Sequence, residues 1–385
     1  MIVDLKFIRD NISVLRKRLG DSKKICAVVK ADAYGLGAKV ICKEINSLVD
    51  FFAVSCEREF LEINGLVNKP ILILDPIYEN ITKLAKKYCQ FCVSNFDCLE
   101  KILRLAKRNR DVQYQIHLAV NTGMNRFGFL NESDLVKVFE VVQKTQNVSI
   151  LGVFSHFYCG NIENFAKIQV EKFLNAKYSL SKKFDISNVI FHIANTSGFE
   201  FGKEFDMCRV GLGLFLNQNY SCFSLESKII EIQKIKSGET VGYGYKFLAE
   251  KSMRVAVVSI GYADGIFRNI AAKGFVLIGG NFCKILSVCM DSIIVDVSSV
   301  EVKIGDKVVL IGKSGDKQIF ICDIAAWCDT IEYEIMTSLS KRIKRLYIGG
   351  KSNANYNRKV SCKKTRCSWQ QWNKTNSCKG KRIGF

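Results

Sequence analysis

Residues 25–49 read ICAVVKADAYGLGAKVICKEINSLV. The apolar run Ile25–Val29 ends on Lys30, and after a short glycine-containing stretch apolar residues recur at three- and four-residue spacing from Ala38 to Val49. A strand buried on both faces has the continuity of the first part, and an amphipathic helix has the period of the second. Working outward, the same unit recurs. Further apolar runs lie at Phe51–Ser55, Ile71–Leu74, Phe91–Ser94, Gln115–Val120, Gly152–His156, Val189–Ile193 and Cys208–Phe215, with helix-like segments such as Asp97–Lys107 and Glu132–Lys144 between them. Eight βα units predict an α/β protein whose residues 1–224 form an N-terminal (β/α)8 TIM-type barrel.

From about Leu225 the rhythm changes to closely spaced β-rich runs: Ile229–Ile235, Arg254–Ile260, Phe275–Ile278, Phe282–Val288, Ile293–Val297 and Lys307–Ile311. Residues 225–350 are therefore expected to form a C-terminal all-β domain, with one late helix at Asp323–Cys328. Residues 351–385 lack apolar periodicity and are expected to be a disordered basic tail.

The length of 385 residues suits two domains, and the composition is that of an ordinary globular protein. The net charge of +20 first suggests a nucleic acid or an anionic membrane as partner. However, residues 351–385 hold ten Lys/Arg and no acidic residue, so half of the excess sits in the tail and no specific nucleic-acid partner is expected. The opening MIVDLKFIRD places Asp4 and Lys6 where a signal peptide would be apolar, and no apolar run approaches the ~20 residues of a membrane span. A cytoplasmic protein is expected. The 16 cysteines are scattered along a chain with no secretory signal, so they are read mostly as small buried hydrophobes and no metal site is expected.

Barrels of this type carry their chemistry in the loops at the C-terminal strand ends. Those positions hold Lys30, Asp32 and Tyr34 after the first run; Asn121, Met124 and Arg126 after the fifth; and His156 after the sixth. Asn195 and Thr196 follow the seventh, and Arg209 and Gly211 lie in the eighth. Spacing alone leaves Lys30 open between a solvated rim lysine and a covalently used one.

The stretch AVVKADAYGLGA (residues 27–38) resembles the pyridoxal-phosphate attachment motif of alanine racemases. HLAVNTGMNRFGF, FSHF, HIANTSG, DMCRVGLGLF, VGYGYKF, VSIGYADG, VCMDSIIVDV and IEYEIMTSL are similar to further blocks of that family, in its order, over roughly residues 1–348. The resemblance implies pyridoxal 5'-phosphate as cofactor, bound by Lys30 as an internal aldimine. Tyr34, Thr196 and the Gly211 backbone N–H would hold the phosphate; Thr196 also has the setting of a helix N-cap, and both roles are compatible. Arg209 would face the pyridine nitrogen and, remaining protonated, would not readily protonate it. His156 would sit beside the ring or Arg209.

It further implies interconversion of L-alanine and D-alanine by two bases, Lys30 and Tyr262, the latter reaching the site from the partner of a homodimer. One base cannot both take a proton from one face of a carbon and return it to the other. Arg126 would hold the cofactor's phenolic oxygen and the substrate carboxylate, Met290 would offer its backbone N–H to that carboxylate, and Asp291 would shape the entrance. The biological role implied is supply of D-alanine for peptidoglycan. Many family members carry a carbamylated lysine where this chain has Ala119 and an aspartate where it has Asn121. Arg126 is therefore expected to be held by a bound chloride, by Asn121 or by the backbone of His117. The alternatives are a decarboxylase of the same barrel class, a racemase of another small amino acid such as serine, and a non-catalytic pyridoxal-phosphate carrier. The second domain with its GYADG sequence counts against the carrier.

Overall fold

Eight segments rich in β-branched, aromatic and cysteine side chains form parallel strands with few exposed positions. The computed structural model describes residues 1–76, 88–217, 220–244 and 247–351. In it the barrel strands are Lys24–Val28, Phe51–Val54, Ile71–Pro76, Cys89–Val93, Tyr114–Ala119, Val148–Phe154, Ile190–His192 and Met207–Val210. Each lies beside its sequence neighbour, and the eighth pairs with the first through Cys26 opposite Arg209. The seam between the seventh and eighth strands lacks a regular ladder but is bridged by Asp206 N–H to Phe191 O (2.9 Å) and Arg209 N–H to Ala194 O (3.1 Å). The result is a near-closed barrel with helices outside it. Two of these, Phe96–Arg108 and Glu132–Gln143, fall where the apolar period places them.

The eighth apolar run, Cys208–Phe215, is not one strand. It ends at Val210, and beyond Gly211 the chain turns into the short helix Leu212–Phe215. That break puts Gly211 at the barrel rim.

The second sheet has nine strands, antiparallel except at one edge. Its backbone is the long strand Phe223–Ile235, bulged near Ile229 and Glu231, which pairs with both Met253–Val258 and Lys307–Ser314. The division expected at 224/225 needs two adjustments. The boundary strand already begins at Phe223, and the first strand of the chain, Ile2–Asp4, belongs to this second sheet. Ile2–Asp4 lies between Phe223–Ile235 and the last strand, Leu346–Ile348, with which it runs parallel. Asp4 then caps the helix Leu5–Leu19, its carboxylate accepting from the Lys6 N–H at 2.8 Å.

The late helix spans Ile321–Trp327 rather than starting at Asp323, because the Asp323 carboxylate reaches back to the Phe320 N–H (2.8 Å) and so sits one turn inside. A second helix, Glu332–Ser338, was not foreseen; it buries Ile335 and Met336. One apolar cluster runs from Met1 to Leu339 across both domains. The expected tail at 351–385 lies, apart from Lys351, outside the described residues. No described helix is long and apolar enough to cross a membrane.

Candidate active site

Lys30 follows the first barrel strand directly, and the next four residues, Ala31 to Tyr34, all have left-handed backbone conformations with φ between 52° and 56°. Left-handed L-residues cost about 1–2 kcal/mol each, so a turn of four persists only where its surroundings over-determine it. They do so here. The Glu59 carboxylate accepts from Ala31 N–H and Ser55 N–H, both at 2.7 Å, and Asp32 accepts from Ala38 N–H at 2.8 Å. The turn carries Tyr34 inward, where its ring packs against Phe215 and Tyr333 at centroid distances of 5.5 and 5.9 Å.

The Tyr34 hydroxyl lies so close to Gly211 that a Cβ there would overlap it. Thr196 Oγ1 accepts from the N–H groups of Gly211 (3.3 Å) and Gly213 (3.2 Å). A hydroxyl, a threonine and backbone donors thus converge on one corner of the pocket that Lys30 enters. Such a corner suits an anion with several acceptor oxygens.

Arg209 faces the same pocket from the eighth strand and is 3% exposed. One terminal nitrogen, Nη1, donates to His192 Nδ1 (2.6 Å) and to the His192 carbonyl (3.0 Å); Nη2 donates to the Ser155 carbonyl (2.6 Å). A permanently protonated guanidinium donating to Nδ1 fixes the tautomer of His192, whose Nε2–H then donates to His117 Nδ1 (2.9 Å). His117 Nε2–H in turn donates to Gln90 Oε1 (2.8 Å), and Gln90 Nε2 reaches Gln115 Oε1 (3.3 Å). Every donor in this line points away from Arg209 into the barrel. The Nε–H of Arg209 has no hydrogen-bond partner among the described residues.

His156 lies 3.3 Å from Arg209 Nη2 through Nδ1 and 3.3 Å from Asn195 Nδ2 through Nε2. A neutral imidazole has one acceptor, so it takes a hydrogen bond from one of the two. Burial, with Arg209 nearby, pushes the pKa of His117 and of His156 down to about 3 and lowers that of His192 as well. Burial also lowers Arg209 to about 10, still protonated at neutral pH. The site holds one buried cation among neutral rings and carbonyls.

Arg126 lines the pocket from the loop after the fifth strand. Neither expected protein partner holds it. The Asn121 side-chain oxygen accepts from Gly123 and Asn125 N–H within its own loop, and the His117 backbone lies in the strand ladder opposite Cys92 and Gly152. Arg126 instead lies over the Phe127 ring at 4.7 Å, and Ala119 sits with Cys92 and Phe154 in a small apolar cluster. The uncharged side chain at 119 is thus matched by apolar neighbours.

Tyr262 and Met290 are not among the residues lining the barrel pocket. They lie together on the second domain, tied by Tyr262 N–H to Cys289 O (3.0 Å) and Ala263 N–H to Met290 O (2.9 Å). Both are open to solvent, at 40% and 52% exposure. Asp291 beside them pairs with Arg342 at 2.8 Å, and Arg342 also reaches Asp264.

Sequence reasoning singled out neither Tyr333 nor Asp75, which line the pocket, nor Gln90 and His192, which extend from Arg209. A signal existed: Gln90, His117 and His192 are polar residues inside or beside continuous apolar strand runs, where polar groups need internal partners.

Fold and site together define a barrel protein with a β-rich second domain and a rim pocket built around a lysine, a phosphate-type corner and a buried arginine. The model of the alanine racemase N-terminal domain matches residues 3–218, and that of the alanine racemase C-terminal domain matches residues 222–347. The alanine racemase of Lactococcus lactis is 33% identical over 365 residues, covering 90% of this chain and 97% of that one. That of Thermodesulfovibrio yellowstonii is 32% identical over 362 residues, with 90% and 96% covered. Among solved structures, alanine racemase from Bacillus anthracis with bound L-Ala-P superposes with a TM-score of 0.83 at 26% identity, covering 90% and 94%. The biosynthetic enzyme of Pseudomonas aeruginosa gives 0.78 at 29% identity, covering 90% and 98%. The chain belongs to the alanine racemase family, a family of isomerases.

Proposed function

We propose that this chain is a pyridoxal 5'-phosphate-dependent alanine racemase that interconverts L-alanine and D-alanine, and that it supplies D-alanine for peptidoglycan in the cytoplasm. The observation that carries the reading is the shared pocket of Lys30, the Tyr34–Gly211–Thr196 corner and Arg209. The cofactor fits these residues. A phosphate matches the corner, a primary amine stands ready to bond its aldehyde carbon, and the unpartnered Nε–H of Arg209 suits a ring nitrogen. When bound, the cofactor withdraws electrons from the substrate's α-carbon and makes its proton acidic.

The chain's own groups do the rest. Lys30 Nζ takes or returns the α-proton on one face. Arg209 would offer its Nε–H to the ring nitrogen without surrendering it, which would restrain electron withdrawal and favour return of the proton to the α-carbon. Its fixed hydrogen-bond partners hold that Nε–H in line. Arg126, with no carboxylate partner among the described residues, is available to the substrate carboxylate and the cofactor's phenolic oxygen.

The opposite face needs a second base. Tyr262 of a second copy of the chain fills this role, with Met290 N–H toward the carboxylate, because these residues lie on an exposed patch away from the pocket of their own chain. The working form is therefore a homodimer with shared sites. Conversion of L- to D-alanine should be measured with added pyridoxal phosphate in wild type, Lys30→Ala and Tyr262→Phe. Loss in both variants is expected. Full activity in Tyr262→Phe would remove the two-base mechanism, and faster turnover of serine than of alanine would revise the substrate.

A further inference from the structure

The left-handed turn that carries Tyr34 is also gripped from the far end of the chain. Arg345 makes five hydrogen bonds, every one to a main-chain carbonyl. Nε and Nη2 reach the Gly35 oxygen at 3.1 and 2.9 Å; Nη1 reaches Ser340 and Ile343, both at 2.6 Å; Nη2 reaches Leu339 at 3.0 Å. No carboxylate lies within ion-pair distance of it among the described residues. Two residues on, the Tyr347 hydroxyl donates to the Leu36 carbonyl at 2.9 Å.

The fit on this side is close. A Cβ on Gly35 would stand 2.6 Å from the Met336 carbonyl oxygen, and one on Gly37 would overlap the Tyr347 hydroxyl. The grip is itself anchored, because the last strand, Leu346–Ile348, pairs with Ile2–Asp4, and the α-amino group of Met1 donates to the Lys344 carbonyl at 3.1 Å.

We infer that Arg345 and Tyr347 are positioning residues for the cofactor: by holding the Gly35 and Leu36 carbonyls they keep the left-handed turn closed, and so keep the Tyr34 hydroxyl at Gly211 and Lys30 at the pocket. This rests on the pyridoxal-phosphate reading above. The turn's own bonds, Ala33 N–H to Val29 O (2.9 Å), Gly35 N–H to Ala31 O (2.8 Å) and Gly37 N–H to Asp32 O (2.9 Å), are local. They would break as the turn opened, but a right-handed turn of the same residues would replace them with equivalent local bonds. Only contacts from outside resist its relaxation toward the ordinary right-handed or extended backbone, and on the Gly35–Leu36 side those come from Arg345 and Tyr347. A lysine at 345 could not reproduce a planar fork that serves four carbonyls.

The test is a fluorescence titration of cofactor-free protein with pyridoxal phosphate, at a temperature well below each variant's melting point. It compares wild type, Tyr347→Phe, Arg345→Lys and Arg9→Ala. Arg9→Ala breaks the Arg9–Glu44 ion pair at the same end of the fold without touching the turn, and so reports on stability alone. Tyr347→Phe, which loses one hydrogen bond, should bind about three- to tenfold more weakly, and Arg345→Lys at least about tenfold. Arg9→Ala should bind like wild type even where its melting temperature falls. In the cofactor-free protein, amide hydrogen exchange at Gly35 and Gly37 should speed up in Tyr347→Phe. Wild-type affinity in both latch variants, or equal weakening in Arg9→Ala, would overturn the inference. A wild-type protein that does not bind pyridoxal phosphate would overturn the functional reading beneath it.

Discussion

Of the three histidines of the chain, His117 and His192 are buried and His156 is partly buried at the pocket, and all are neutral at pH 7 in the folded state. Each has a folded-state pKa below that of an exposed imidazole, so in the pH range between them the unfolded chain binds the extra proton. The stability these histidines contribute is therefore complete above about pH 6.5 and is lost as pH falls toward about 3. Each should contribute a slope of about 1.4 kcal/mol per pH unit in that window. Urea unfolding at pH 7 and pH 5 would measure it, and His117→Gln should have a shallower slope by about one proton. A second consequence concerns Arg209, whose replacement by Lys keeps a charge but abandons the fork that serves His192 and Ser155. Arg209→Lys should lower kcat/KM about 10- to 100-fold, as expected when charged hydrogen bonds of about 1.5–3 kcal/mol are lost.

At the level of single elements, the rim is built from short, constrained pieces, and glycine is required where they meet. Gly211 has φ −110°, outside the positive-φ region that favours glycine, and a Cβ there would overlap the Tyr34 hydroxyl, so lack of space is the chief bar to alanine. Gly211→Ala should abolish pyridoxal-phosphate binding while leaving the circular-dichroism spectrum and melting temperature near wild type. The elements also show what could be read in advance. Strands such as Phe51–Val54 and Phe275–Ile278 are continuous apolar runs and were legible almost residue by residue. The left-handed turn was not. Ala31, Ala33 and Tyr34 have no local preference for positive φ, and the conformation is imposed by Glu59, Arg345 and Tyr347 from distant parts of the chain. Lys30 and Arg209 could be singled out through the motifs around them, whereas the ordered line Arg209–His192–His117–Gln90 depends on four different strands facing one another inside the barrel. Tyr333 escaped notice because its helix, Glu332–Ser338, is only seven residues long.

For the whole molecule, the separation of Tyr262 from the pocket of its own chain has a quantitative consequence. Lys30→Ala and Tyr262→Phe should each be inactive alone. After subunit exchange in equal amounts, half of the dimers are mixed and each of these has one intact site, so about a quarter of wild-type activity should return. No return despite demonstrated exchange would place both bases in one subunit. Residues 352–385 lie past the family match, which ends at 347. A chain ending at Lys351 should keep full activity at physiological salt.

The parallel pairing of Ile2–Asp4 with Leu346–Ile348 also fixes an order of events during synthesis. The first strand leaves the ribosome more than three hundred residues ahead of Leu346–Ile348, an interval of roughly 20–70 s at about 5–20 residues per second. Until Phe223–Ile235 is made the first strand has neither neighbour, afterwards it has one, and throughout the barrel rim lacks Arg345 and Tyr347. On the proposed role of Arg345 and Tyr347, capture of the cofactor would be a late step, completed when Leu346–Ile348 docks beside Ile2–Asp4, and a messenger cut short of codon 345 should yield a barrel that has every pocket lysine and arginine but binds pyridoxal phosphate weakly.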